Sequence, residues 1–102
     1  MSTLHTVNKS AYERNALKSC LDHALPGDVV LLIEDGVYAA RKGGTIAPAL
    51  RAAQGGCKIY ALGPDLAARG IVAGEVLEGI GTVDYAGFVD LAAGATRVCA
   101  WL

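Results

Sequence analysis

An α/β domain built on a largely parallel sheet is the fold class this sequence predicts, and three observations predict it. Val29-Val30-Leu31-Leu32-Ile33 is a continuous apolar run bounded by Pro26-Gly27-Asp28 and Asp35-Gly36, the pattern of a strand buried on both faces. Short β-compatible segments alternate with helical ones along the chain, which argues for right-handed crossovers and helices on both sides of the sheet. The length, 102 residues, suits one domain with one core, spanning 1–102. The expected architecture is a three-layer α/β/α sandwich with five largely parallel strands.

Taken in order, Thr3 to Asn8 reads as the first strand. Ser10-Ala-Tyr-Glu13 then carries a capping-box pattern that starts a helix running to about Ala24, where Pro26-Gly27-Asp28 stops it. The apolar run from Val29 is the second strand. A helical stretch follows from about Val37 to Ala53, interrupted by Gly43-Gly44. Lys58 to Leu62 is the third strand, and Gly63-Pro64-Asp65 turns into a short helix through Ala68 that Gly70 ends. The stretch from Ile71 to Gly81 has no clear period. Thr82 to Asp84, Tyr85 to Ala93 and Thr96 to Trp101 read as strand, helix and strand.

Composition narrows the function. With 53% hydrophobic and 19% charged residues, the chain is globular rather than disordered. Net charge is -1 and the basic residues are scattered, so the cationic stripe of a direct nucleic-acid binder is missing. The longest apolar run is far too short to span a bilayer, and no basic-then-apolar leader opens the chain. The expectation is a cytoplasmic protein. Three cysteines without CxxC spacing support neither a disulfide framework nor a zinc site. No P-loop signature and no strand-linked G-x-G-x-x-G appears, so no cofactor is expected.

Of the reactive side chains, Cys20 is the candidate catalytic residue. On an ideal helix Leu17, Leu21 and Ala24 share a face and Cys20 lies at its flank, three residues before His23. Partial exposure beside an imidazole would favour thiolate formation and make Cys20 the most reactive of the three thiols. The competing reading is a small buried apolar filler. Cys57 precedes a strand and Cys99 falls inside one, where core filling is expected. His5 is expected to be a strand residue with a satisfied hydrogen bond, since its acidic neighbours in sequence form neither metal-ligand spacing nor a triad. Asp35-Gly36 and Gly63-Pro64-Asp65 follow strands, where open α/β sheets bind ligands. Both also read as turns, and Asp65 as a helix cap.

Four segments carry a family resemblance: Leu4-His5-Thr6-Val7-Asn8-Lys9-Ser10, Glu34 to Ala40, Tyr60 to Gly70, and Val83 to Leu91. In order and spacing they resemble the TusB/DsrH family of sulfur-relay proteins from end to end. Cys20, in a helix where TusB-like members generally lack cysteine, makes the chain more similar to the DsrH branch. That resemblance implies a heterohexamer with DsrE/TusD-like and DsrF/TusC-like subunits. The complex would hand persulfide sulfur to a small DsrC/TusE-like carrier in dissimilatory sulfur oxidation. The alternative is a TusB-type role in 2-thiolation of the tRNA wobble uridine. In either case the resemblance places the principal acceptor cysteine on the DsrE-like partner, with Cys20 secondary. Two further readings are a flavodoxin-like ligand-binding module and an assembly subunit without chemistry.

Overall fold

The computed structural model describes residues 2–12 and 15–101. Strands β1 (Thr3–Val7), β2 (Val29–Leu32), β3 (Lys58–Leu62), β4 (Gly81–Val83) and β5 (Arg97–Trp101) alternate with helices α1 (Ala16–His23), α2 (Ala47–Ala53), α3 (Gly63–Ala68) and α4 (Tyr85–Gly94). The strands form one sheet in the order β4-β3-β2-β1-β5, and every pairing is parallel.

The connections step from β1 to β2, β3 and β4 in one direction, and the last returns across the sheet from β4 to β5. Right-handed crossovers therefore put α1, α2 and α3 on one face and α4 alone on the other. Packing bears this out. Val7, Val30, Leu32, Ile59 and Ala61 form one buried cluster with Leu17 and Cys20 of α1, Leu50 of α2 and Leu66 of α3. Leu4 and Leu31 are equally buried but belong to the opposite face, outside that cluster. There α4 crosses, and Leu91 lines the same small cavity as Leu4 and Val29. Yet none of its residues is buried.

Three local outcomes differ from the expected elements. Helix α1 begins at Ala16, not at Ser10, because the Ser10 hydroxyl is spent on a local turn, accepting from the Tyr12 amide at 3.2 Å. The box partner Glu13 lies outside the described residues. The helical stretch expected over 37–53 is interrupted around Gly43-Gly44 as its sequence implies, but its first half is not an α-helix. A 3-10 turn, Glu34–Ala40, buries Val37, Ala39 and Ala40, and α2 starts afresh at Ala47 with Pro48 in its first turn, where a missing amide costs nothing. Gly43, at φ +76°, makes the break between them. Finally, residues 73–75 form a second 3-10 turn, beyond which Val76 bridges Arg41 and the Leu77 amide donates to the Ala40 carbonyl at 2.7 Å.

Gly36 occupies a position only glycine fits. A side-chain carbon there would overlap the Val7 carbonyl oxygen, because the 3-10 turn crosses directly over the end of β1. The Ile33 amide donates to that same oxygen at 3.0 Å.

Candidate functional site

The chemically versatile side chains collect on the α1 side of the sheet. His5 sits in the middle of β1 and Asp28 just before β2, both about 5% exposed. The Asp28 carboxylate accepts from the Thr3 amide at 2.9 Å, the Leu25 amide at 3.0 Å and His5 Nε2 at 2.9 Å. Burial alone would raise this carboxyl. The Leu25 amide, the His5 imidazole and the Thr3 amide outweigh it and hold the group at about 2. Trp101 Nε1 donates to His5 Nδ1 at 3.0 Å. An indole only donates, so Nδ1 is the bare nitrogen and Nε2 carries the proton given to Asp28. With both ring nitrogens engaged, His5 is the satisfied strand residue expected of it and has no lone pair left for a substrate.

The partial exposure expected of Cys20 is not found. The thiol is fully buried, 0% exposed, beneath the sheet-facing side of α1 with Leu17. Burial pushes it up to about 12, and Cys99, Cys57 and Asp28 nearby add to the rise. His23 does not help it. Nδ1 of that ring donates to the Ser19 carbonyl one turn back at 2.7 Å, and the ring leans on Trp101 at 5.7 Å between centroids. The α1 stripe facing the core is Leu17 with Cys20, an i, i+3 pair, so the cysteine lies inside the apolar face rather than beside it.

Cys57 is also buried. Its thiol points at the Leu25 carbonyl at 3.4 Å and is pushed up by burial and then by the Asp28 charge. Cys99 instead is only partly covered, because β5 is an edge strand, which corrects the expected core position. The expected order of alkylation in the native chain is therefore Cys99 first, Cys57 next and Cys20 last. Timed iodoacetamide labelling with peptide mapping reads that order directly.

At the carboxyl ends of β2 and β3 the two turn sequences meet, joined by a residue that sequence reading passed over. Arg69 donates from Nε and Nη2 to the same Asp35 oxygen, at 3.0 and 2.9 Å, and from Nη1 to the Asp65 carbonyl at 3.3 Å. Asp65 does not cap α3, whose N-cap is Leu62. Its carboxylate takes the Glu34 amide at 2.7 Å and so fixes Glu34 at φ +49°, a left-handed conformation that costs a non-glycine residue about 1 kcal/mol. Glu34, Asp35 and Asp65 against one Arg69 leave this mouth net negative. It braces the turns and repels anions.

What remains open is α4. Asp84 caps it, accepting from the Gly87 amide at 2.8 Å, so the helix is well started. It carries one charge, Asp90, among Tyr85, Ala86, Phe88, Val89, Leu91 and Ala92. Tyr85 and Val89, one turn apart, are 60% and 65% exposed. Val98 of β5, in register with Leu4, is exposed on the same side of the sheet. Among the described residues the other edge of β5 has no strand beside it. An apolar helix without a buried residue, next to an open strand edge, is a surface built to be covered.

Comparison with known proteins places the chain. The family described as "DsrH like protein" matches residues 9–98. Protein TusB of Shigella flexneri is 38% identical over 98 residues, covering 96% of this chain and 99% of that one. Protein TusB of Klebsiella pneumoniae is 36% identical over 100 residues, with the same coverage. The chain belongs to the TusB/DsrH family.

Solved structures share the fold of this chain. The ychN protein of E. coli superposes with a TM-score of 0.80 at 16% identity, covering 98% of this chain and 99% of that one. A protein of unknown function, MTH1491, from Methanobacterium thermoautotrophicum gives 0.74 at 18%, covering 96% and 97%. At those identities the likeness is one of fold alone. Among the described residues no group of histidine, cysteine and carboxylate side chains could hold a metal, and no helix is long and apolar enough to cross a membrane.

Proposed function

We propose that this TusB/DsrH-family chain is a subunit of a sulfur-relay complex and that its contribution is assembly rather than a nucleophile of its own. The observation that carries this is the contrast between a bare apolar α4 and a sealed Cys20. Its partners would be DsrE/TusD-like and DsrF/TusC-like subunits in a heterohexamer that feeds a DsrC/TusE-like carrier, acting in the cytoplasm. The acceptor cysteine would sit on the DsrE/TusD-like subunit. Cys20 would join the relay only if α1 lifted from the sheet, which would break the Leu17–Cys20 core.

The pathway we favour is 2-thiolation of the tRNA wobble uridine. The relatives are TusB proteins along nearly their whole length, and the burial of Cys20 weakens the feature that favoured dissimilatory sulfur oxidation. Disrupting the gene in its native host separates the two. Loss of 2-thiouridine from bulk tRNA, by nucleoside mass spectrometry, with sulfur oxidation intact, is the expected result. Unchanged 2-thiouridine would overturn the tRNA reading, and a simultaneous halt in sulfur oxidation would establish the other.

A further inference from the structure

We propose that the cavity between the turn after β1 and the loop that follows the first 3-10 turn binds a nucleoside monophosphate, its phosphate on Arg41 and Lys42 and its base against tyrosine. The cavity holds about 340 Å³ and is lined by Tyr12, Tyr38, Arg41, Lys42, Gly43 and Gly44. Its volume falls within the range of small-molecule sites, roughly 300–1,000 Å³. Among the described residues the lining combines two cations with two phenols and includes no carboxylate. This composition is opposite in sign to the acidic mouth around Asp35 and Asp65.

The cations are available to a ligand. Among the described residues Arg41 has one acidic neighbour, Glu75, at 3.6 Å, and both side chains are about half exposed, so that pair contributes little. The backbone beneath them is fixed instead. The Lys42 amide donates to the Glu75 carbonyl at 2.7 Å, and Arg41 bridges Val76. Guanidinium and ammonium groups on an anchored frame suit a phosphate dianion.

The aromatic half is similarly placed. Tyr12 is 52% exposed, yet its hydroxyl rests on the backbone of Gly44, where any side-chain carbon would collide with it. Glycine at 44 therefore leaves room for the phenol at the cavity rim, where a half-exposed ring is the group on which a planar base would stack. The lining residues come from the two segments that follow the carboxyl ends of the adjacent strands β1 and β2. Absence of a P-loop argues only against a backbone cradle for a pyrophosphate. Here side chains would hold a single phosphate.

Titrating the full ¹⁵N-labelled chain with AMP and UMP tests this by amide chemical shifts. Saturable shifts at Arg41, Lys42, Gly43 and Gly44 are expected, with a Kd below about 1 mM. Arg41→Gln with Lys42→Gln should weaken binding at least about tenfold, as should Tyr12→Leu, each removing one strong contact. Gly44→Ala, by displacing Tyr12, should resemble Tyr12→Leu. The charged pair is solvent-exposed, so its substitution leaves the fold intact, which the unperturbed remainder of the spectrum checks. Inorganic phosphate binding as tightly as AMP would remove the base from the proposal, and adenosine binding as tightly would remove the phosphate. Either result overturns it, as would the absence of shifts at 10-fold that concentration, about 10 mM.

Discussion

Asp28→Ala is expected to destabilise the protein by about 3–5 kcal/mol, a large share of the 5–15 kcal/mol that holds a typical domain folded. The carboxylate takes three charge-assisted hydrogen bonds, from Thr3, Leu25 and His5. Its loss strands those donors in a site about 5% exposed and loosens the His5–Trp101 link that ties β5 to β1. Asp28→Asn, which keeps the shape and one acceptor oxygen, should cost less. Urea denaturation at neutral pH ranks the three proteins.

The same carboxylate gives an acid dependence whose sign follows from its shift. Its folded value is about 2 against an ordinary 3.8, so the folded state binds the proton more weakly. The stabilisation is complete above about pH 5 and is lost as pH falls through 3.8 toward 2, amounting to about 2 kcal/mol. Asp28→Ala should lack this component. An equal loss in variant and wild type over that interval would show that Asp28 is not its source.

Val89→Asp should weaken association with the partner subunits by about 100-fold or more, the cost of desolvating a new charge within an apolar interface. The isolated chain should keep its stability, because Val89 is 65% exposed and contributes no core contact. Size-exclusion chromatography of the co-expressed subunits distinguishes the outcomes: one complex with wild type, and separate elution of this chain with the variant. A control charge on exposed Lys18 of α1, Lys18→Asp, should leave assembly intact.

The sheet was legible because its signals are local. The run at Val29–Leu32 is buried on both faces and reads as such, and Lys58–Leu62 stands where sequence placed it. Glycine at 43 signalled a break, but how complete a break depended on Pro48 opening a second helix, a cue that was present and not weighed. Cys20 was misplaced for a different reason. Helical phase orders the residues around the axis, but how wide an arc is covered depends on what packs above it, and in α1 the covered arc reaches from Leu17 to Cys20. The contacts that organise the polar groups were out of reach altogether. His5 meets Trp101 across 96 residues and Glu34 meets Asp65 across 31, pairings created only when parallel strands align. The open face of α4 was invisible too, since its apolar pattern looks the same whether a sheet or another subunit covers it.

The most direct test of an assembling rather than a reacting subunit is the rate of persulfide transfer to the DsrC/TusE-like carrier by the reconstituted complex. Three versions of this chain should be compared: wild type, Cys20→Ala and Val89→Asp. The account predicts transfer within about twofold of wild type for Cys20→Ala, because a sealed, protonated thiol is not the nucleophile, and its abolition for Val89→Asp through loss of the complex. Transfer abolished by Cys20→Ala in a complex that still elutes intact would contradict it and make Cys20 a carrier of the sulfur.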